Sequence, residues 1–252
     1  MAILSVTVRL KKRELPAMRT VGIIQPSYIP WRGFFDFIQE VDVFVFLDDV
    51  QYTLRDWRNR NRIKTRDGKT LWLSVPTLGG RNQLIKDVRI DNAQPWQRKH
   101  LALMQHNYGK APCFRHYFAE LQGIYARAFE TLAELDIELV KRISAWLGID
   151  TEFVVASALG AAGARDDRLL QLVRKLEGDV YLSGPSAKAY MRPEIWAAAD
   201  IRLAYKDYAG YPEYPQISAP FEPAVTVLDL LFMVGPAAAD YIWGKYRKRD
   251  GQ

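Results

Sequence analysis

Two short apolar runs flank a stretch with helical periodicity near the start of the chain. Residues 20–25 and 43–47 are almost continuously apolar, whereas residues 34–41 carry apolar side chains three or four positions apart. Unbroken apolar strands are typical of a parallel sheet covered on both faces, and the intervening spacing is that of a helix packed on such a sheet. The pattern therefore predicts a strand, a helix and a second strand parallel to the first.

The rest of the chain continues this alternation. The pair Asp67-Gly68 predicts a hairpin turn between arms at residues 57–64 and 70–76. Helical spacing dominates from Trp96 onward and is broken at Pro112, so at least two helices are expected before residue 147. The remaining predicted strands are residues 85–90, 152–156, 179–182 and 201–205, and the remaining predicted helices are residues 168–176, 226–234 and 237–246.

Alternating strands and helices predict an α/β, Rossmann-like fold with a mainly parallel sheet, flanking helices, and a helical middle and C-terminal part. No repeat or linker interrupts the pattern, so residues 18–246 are predicted to form one domain. Residues 1–17 are expected to be either a disordered N-terminal extension or a segment ahead of the true start, since Met18 precedes the first predicted strand. Their apolar part is short and precedes the basic cluster Lys11, Lys12 and Arg13, the reverse of the order in a signal peptide.

Charge and cysteine content narrow the class of protein. The chain of 252 residues carries 35 Lys and Arg against 29 Asp and Glu, and this net charge of +6 favours anionic small-molecule partners. The single cysteine, Cys113, excludes an internal disulfide, and every apolar run is too short for a membrane span. We therefore predict a cytoplasmic protein without a membrane span. No RNA-binding signature is present, so no nucleic-acid partner is predicted.

Polar residues cluster where the first two predicted strands end. The carboxyl ends of parallel strands share one edge of the sheet, and α/β proteins bind their ligands there. Asp48 and Asp49 are the predicted catalytic residues, since a strand-end carboxylate can act as a base; it can also bind a ribose hydroxyl or a divalent ion, or cap a turn. We expect one of the two to be functional and the other structural. The predicted binding residues at this edge are Gln25, Tyr28, Gln51 and Tyr52.

The segment of residues 55–64 is the richest in polar side chains. If it is a strand, its period of two places cations on one face and amides on the other. The cationic face would hold Arg58, Arg60, Arg62 and Lys64, and the opposite face Trp57, Asn59 and Asn61. Arginines in such a row can bind phosphate or carboxylate groups, and amides opposite them are expected to contact a ligand. The alternative is a solvated edge strand protected by its charges.

Other candidate sites carry weaker signals. The turn at Ser183 and Gly184 follows a predicted strand, and its backbone N–H groups can bind an anion, although an ordinary strand-to-helix junction has the same sequence pattern. The three histidines lie in the helical middle without metal-ligand spacing, so each is assigned a surface or packing role and no metal site is predicted. No P-loop, GxGxxG, HExxH or GxSxG motif occurs.

A series of short motifs extends over about residues 18–235. They are Gln25-Pro26-x-Tyr28-x-Pro30, Asp48-Asp49-Val50-Gln51-Tyr52, Trp57-x-Asn59-Arg60-Asn61, Trp72-Leu73-Ser74-Val75-Pro76, Tyr181-Leu182-Ser183-Gly184 and Val227-Leu228-Asp229-Leu230-Leu231. Each motif is weak alone, but in combination they are specific, and the series resembles the WbqC-like protein family.

The resemblance implies a bacterial transferase of surface-polysaccharide biosynthesis, of the O-antigen type, that places an acyl or aminoacyl group on an amino sugar or a nucleotide-linked amino sugar. The co-substrate would be an acyl-CoA, an acyl carrier protein or ATP, with no resident cofactor assigned. In this hypothesis Arg58, Arg60 and Arg62 bind phosphates, and Asp48 or Asp49 accepts the proton of the attacking amine. Two alternatives are an ATP-dependent, nucleotidyltransferase-like enzyme and a non-catalytic sugar-nucleotide-binding protein of the same pathway.

Overall fold

A computed structural model describes residues 18–243 of the chain. The predicted N-terminal extension and the end of the last predicted helix lie outside these residues. The strands are β1 (Thr20–Ile24), β2 (Val43–Phe46), β3 (Arg60–Lys64), β4 (Thr70–Ser74), β5 (Glu152–Val155), β6 (Val180–Ser183) and β7 (Arg202–Tyr205). The helices are α1 (Arg32–Gln39), α2 (Trp96–Tyr108), α3 (Phe114–Tyr125), α4 (Leu132–Trp146), α5 (Ala156–Leu159), α6 (Arg165–Lys175), α7 (Pro193–Ala197), α8 (Val227–Val234) and α9 (Ala238–Ile242).

The main sheet has five strands in the order β5-β2-β1-β6-β7, and every pairing in it is parallel. From β1, the chain first builds the sheet outward through β2 and β5, and then returns to add β6 and β7 on the other side of β1. The strand order therefore reverses between β1 and β6, which is the topological switch point of a doubly wound sheet. The predicted α/β, Rossmann-like fold is confirmed.

Helices cover both faces of this sheet, which explains why its central strands are apolar throughout. The larger core lies on the face of α1 and the helical middle, and the smaller one on the face of α6 and α7. Helix α1 packs closely on the sheet: the Phe37 ring lies 6.1 Å from that of Phe44. A Cβ at Gly22 would collide with Phe37, so only glycine allows this approach of α1 to β1.

The helical middle consists of α2, α3 and α4, with the predicted break at Pro112 lying between α2 and α3. Helix α4 begins with a capping box, in which Thr131 accepts from the backbone N–H of Glu134 and the Glu134 carboxylate accepts from the backbone N–H of Thr131. The buried side of α4 includes Asp136 among leucines.

A separate two-stranded antiparallel sheet is formed by β3 and β4, joined by the turn at Asp67-Gly68 where Gly68 has φ +83°. The hairpin prediction is confirmed, but its first arm is too long. Strand β3 begins only at Arg60, because Asp56 accepts from the backbone N–H of Trp57 at 2.6 Å and its carbonyl accepts from that of Asn59, which closes a turn.

The predicted strand at residues 85–90 is wrong. Residues Ile85–Asp87 form a single 3-10 turn, and only isolated bridges flank it. Ile85 and Val88 are three residues apart and both fully buried, so one tight turn directs both side chains into the core, which an extended strand would not do. The short helices α5 and α7 were not predicted, because they contain too few residues to establish a helical period.

Candidate functional site

A cavity of about 740 Å³, here called the main cavity, opens at the carboxyl ends of β1 and β6. It lies at the switch point, where a doubly wound sheet leaves a crevice between loops that diverge to opposite faces. Its polar lining includes predicted site residues, namely Gln25, Arg58, Asn61, Ser183 and Gly184, with Trp57 as the predicted aromatic. Its aromatic walls further contain Trp31, Phe34, Tyr181, Tyr190 and Tyr208.

The loop between β1 and α1 forms one wall of the main cavity and is held under backbone strain. Ile29 adopts φ +36°, a conformation that β-branched residues rarely take. The Asn61 side-chain amide donates to the carbonyls of Tyr28 at 3.2 Å and Ile29 at 2.9 Å. These bonds fix the strained turn, so the hairpin holds the loop in one conformation. Asn61 therefore stabilises the loop and also lines the main cavity.

Tyr28 does not face the rim of the sheet as the sequence suggested. Its side chain is fully buried, and its hydroxyl is hydrogen-bonded to His100 Nδ1 at 2.8 Å and to the Tyr125 hydroxyl. Burial lowers the pKa of His100 to about 4, against a smaller opposing effect of a hydrogen bond with the backbone of Ser74. The imidazole is therefore neutral at physiological pH, and Tyr28 anchors the loop to the helical middle.

Arg58 is the cation of the main cavity. Its Nη1 donates to Asp56 Oδ2 at 3.0 Å, which fixes the guanidinium on the cavity wall. Burial lowers the pKa of Arg58, and the nearby charges of Asp56 and Asp136 oppose that shift. An arginine remains charged in any such setting, so the cavity keeps one positive group aimed at an otherwise apolar and hydroxyl-bearing space.

Asp136 of α4 lies behind this wall and was not predicted. It is completely buried, and neither carboxylate oxygen has a hydrogen-bond partner among the described residues. Burial raises the pKa of Asp136 well above its ordinary value, whereas the charge of Arg58 lowers it. One signal in the sequence could have revealed it, namely a carboxylate on the leucine-rich face of α4 between Leu132 and Leu139.

The two predicted catalytic carboxylates are placed outside the lining of the main cavity. Asp48 is buried and accepts from Ser157 twice, at 2.9 Å from the backbone N–H and at 2.6 Å from the hydroxyl, so it caps α5. Asp49 Oδ2 is paired with Arg168, but its Oδ1 has no hydrogen-bond partner within residues 18–243. Leu47 and Leu169, which are close in sequence to this pair, line the cavity, whereas Asp49 and Arg168 do not.

A second cavity of about 380 Å³ lies against the hairpin. Its lining residues, here called the arginine–tryptophan clamp, are Arg55, Asp56, Trp57, Arg60, Arg62 and Trp72. The predicted single cationic face is therefore divided. Arg58 precedes β3 and lines the main cavity, whereas Arg60 and Arg62 line the clamp, and Trp57 contributes to both cavities.

Lys64, the fourth cation of the predicted face, is buried and donates to the carbonyls of Gly68 and Pro220. The chain around Pro220 covers that end of β3, so Lys64 cannot reach a ligand. The other predicted binding residues line neither cavity. Their contacts are as follows: Gln51 donates to the Arg81 carbonyl at 3.2 Å, Tyr52 is 1% exposed, and Asn59 donates to the Val75 carbonyl at 3.0 Å.

Sequence comparison agrees with the motifs that this geometry brings together. The sequence profile of the WbqC-like protein family matches residues 25–241, which include every lining residue of the clamp and all those of the main cavity except Ile23 and Ile24. The chain belongs to the WbqC-like protein family. The uncharacterized protein Rv1507c of Mycobacterium tuberculosis is 41% identical to this chain over 228 residues, which cover 89% of this chain and 98% of that protein. No solved structure matches the chain significantly.

Residues 18–243 were also compared with the requirements of a membrane-spanning helix and of a metal site. None of the helices there has both the length and the apolar character needed to cross a bilayer. Within the same range, no three His, Cys, Asp or Glu side chains converge into a group that could hold a metal ion.

Proposed function

We propose that this WbqC-like protein is a transferase of bacterial surface-polysaccharide biosynthesis that binds a nucleotide-linked amino sugar in its main cavity and acylates the amine. The observation that best supports this proposal is that the Arg58 guanidinium lines a cavity with aromatic walls at the switch point of the sheet. Such walls suit the apolar faces of a sugar or base, and a buried guanidinium suits a phosphate. The substrate class is the one that the family resemblance implies, because the family is associated with gene clusters for surface polysaccharides. This role requires the predicted cytoplasmic location.

The reaction would join the sugar amine to an acyl thioester. The amine nitrogen attacks the carbonyl carbon, a C–N bond forms, the C–S bond breaks, and the thiolate leaves as a thiol with the proton that the amine loses. We assign the proton acceptor to Asp49 rather than Asp48, because the buried Oδ1 of Asp49 has no hydrogen-bond partner among the described residues and Leu47, two positions earlier, lines the main cavity. Asp48 is assigned the structural role, since Ser157 occupies both of its oxygens.

Arg58→Gln tests the binding step. Titration calorimetry with UDP-linked and dTDP-linked amino sugars should show at least tenfold weaker binding, because a charge-assisted hydrogen bond contributes about 1.5–3 kcal/mol. Arg142→Gln is the matched control, since Arg142 forms an exposed ion pair with Glu120 on the helical middle. Equal affinity of the Arg58 variant and the control would reject a phosphate role for Arg58.

A non-catalytic sugar-nucleotide-binding protein is the second candidate. It is favoured by one observation: Asp48 and Asp49 are both bonded to other side chains of the chain. Mass spectrometry of mixtures with acyl thioesters separates the two functions. Formation of an N-acylated sugar that is lost in Asp49→Asn supports the transferase, whereas saturable binding without product supports the binding protein.

A further inference from the structure

We infer that the arginine–tryptophan clamp is a second nucleotide site that takes the base and phosphates of a nucleoside diphosphate, separately from the main cavity. The inference that the clamp binds a nucleotide is independent of the proposed function. Only the assignment of that nucleotide to the acyl donor rests on the proposed function. Its volume of about 380 Å³ lies within the range of small-molecule sites. Because Trp57 borders both cavities, ligands in the two sites would be neighbours.

Arg60 and Arg62 of the clamp are oriented by aromatic stacking, and neither side chain donates a hydrogen bond to another described residue. Arg60 and Arg62 lie over the Trp72 ring, with guanidinium carbons 4.2 Å and 5.6 Å from its centroid. Stacking occupies the flat face of a guanidinium and leaves its in-plane N–H groups available to oxygen acceptors. Within the described residues Arg60 has no ion pair, and the nearest carboxylate to Arg62, that of Glu222, is 3.9 Å away, too far for a hydrogen bond.

The one carboxylate of the clamp is already engaged. Asp56 accepts from the Thr53 hydroxyl at 2.7 Å, from the Trp57 backbone N–H at 2.6 Å and from Arg58 at 3.0 Å. Its charge is thus paired with that of Arg58, which lies outside the clamp. The clamp keeps a net positive charge from three arginines, which suits a ligand with two or more phosphate charges.

Two tryptophan rings stand beside these charges and remain open to solvent. Trp57 is 43% exposed and Trp72 is 41% exposed, with ring centroids 5.4 Å apart. An edge strand protected only by charge has no need of exposed indole rings, whereas a planar base stacks on them favourably. The combination of guanidinium N–H groups without hydrogen-bond partners and partly exposed indole rings is therefore that of a nucleotide site.

The clamp is also preorganised. Trp72 and Arg62 are direct cross-strand partners in β3 and β4, so their relative position is set by the hairpin register. Trp57 is fixed by its backbone, which donates to Asp56 and accepts from the N–H of Tyr28 at 3.0 Å. A ligand would therefore meet groups that need little ordering on binding.

Titration of ADP into the protein tests the clamp, with Arg60→Gln and Trp72→Leu as the variants. We expect each variant to weaken ADP binding at least tenfold, while Arg89→Gln, a matched change of an arginine that is 67% exposed in its side chain, leaves it unchanged. Unchanged ADP affinity in Arg60→Gln, or no ADP binding to the unmodified protein, would overturn the inference. Far-ultraviolet circular dichroism and the urea midpoint show that each variant is folded.

Crossing ligands with variants distinguishes this inference from the proposed function. Arg58→Gln should weaken binding of the amino-sugar nucleotide, and Arg60→Gln should weaken binding of ADP. If Arg58→Gln has no effect while Arg60→Gln weakens ADP binding, the proposed function fails and the nucleotide site in the clamp is retained. Coenzyme A and UDP then identify the source of the nucleotide. Tighter binding of coenzyme A points to the adenosine diphosphate end of a thioester donor, and tighter binding of UDP points to a sugar nucleotide.

Discussion

At the residue scale, the two asparagines of the hairpin illustrate what a pattern can and cannot reveal. From the sequence we predicted that both amides contact a ligand, whereas in the structure both donate to backbone carbonyls. The sequence indicated only that amides on a core-facing side need polar partners. It did not indicate which partners, because Asn61 binds carbonyls more than thirty positions away, whereas Asn59 binds the neighbouring strand end at Val75. A period of two fixes the side of a strand on which a residue lies but contains no information about the segment that packs there.

Asn61→Ala should therefore cost more stability than Asn59→Ala. Asn61 is buried and its loss leaves the carbonyls of Tyr28 and Ile29 without their donor, a cost of about 1–3 kcal/mol. Asn59 is partly exposed and loses a single bond, worth about 1 kcal/mol. Urea denaturation of the two variants measures the difference. Equal losses would mean that the strained turn at Ile29 is held by other contacts.

At the scale of elements, strands were easier to predict than their ends. The apolar runs of β1 and β2 identified a buried parallel sheet because burial on both faces leaves few polar positions. Errors occurred where side chains redirect the backbone, as Asp56 does before β3, or where two apolar residues fit a tight turn, as in Ile85–Asp87. Both turns depend on local hydrogen bonds, which cannot be predicted from the spacing of apolar residues.

The carboxyl end of β2 offers a test at this scale. Asp48 joins it to α5 through Ser157, so Asp48→Ala should lower the free energy of unfolding by about 1–2 kcal/mol, the usual cost of losing a helix cap. Ser157→Ala removes the hydroxyl bond but keeps the backbone one, so its loss should be smaller. Thermal unfolding of both variants measures this order. Full stability of Asp48→Ala, together with lost activity, would instead assign Asp48 to catalysis.

At the scale of the whole molecule, the switch point could be predicted in principle but the main cavity could not. Gln25 and Ser183 were predicted separately as binding residues at the ends of two strands, and both line the cavity. The opposite wall comes from the hairpin, which belongs to a different sheet. Nothing in the sequence of residues 55–64 indicates that Arg58 faces one cavity and Arg60 another, because the turn that separates them precedes the strand.

The pH dependence of stability should report two buried groups with opposite signs. The pKa of His100 is lowered to about 4, so the unfolded chain binds a proton first as pH falls below about 6.5, and the stability contributed by neutral His100 is lost between those values. The pKa of Asp136 is raised, so the folded protein holds its proton more tightly. That contribution is greatest in acid and is lost as pH rises above the ordinary carboxyl pKa.

Asp136→Asn and His100→Asn should consequently change the profile in opposite ways. The Asp136 variant removes an unpartnered buried carboxylate, so at pH 7.5 it should be more stable by about 1–3 kcal/mol and should lose stability more steeply toward pH 5. The His100 variant keeps an acceptor near Tyr28 but cannot take up a proton, so relative to the unmodified protein it should gain stability as pH falls over the same range. Urea midpoints at pH 7.5, 6 and 5 provide the comparison. If Asp136→Asn were less stable at pH 7.5, the Asp136 carboxylate would have to be charged and stabilised by Arg58. The Arg58 guanidinium would then interact with two carboxylates, those of Asp56 and Asp136.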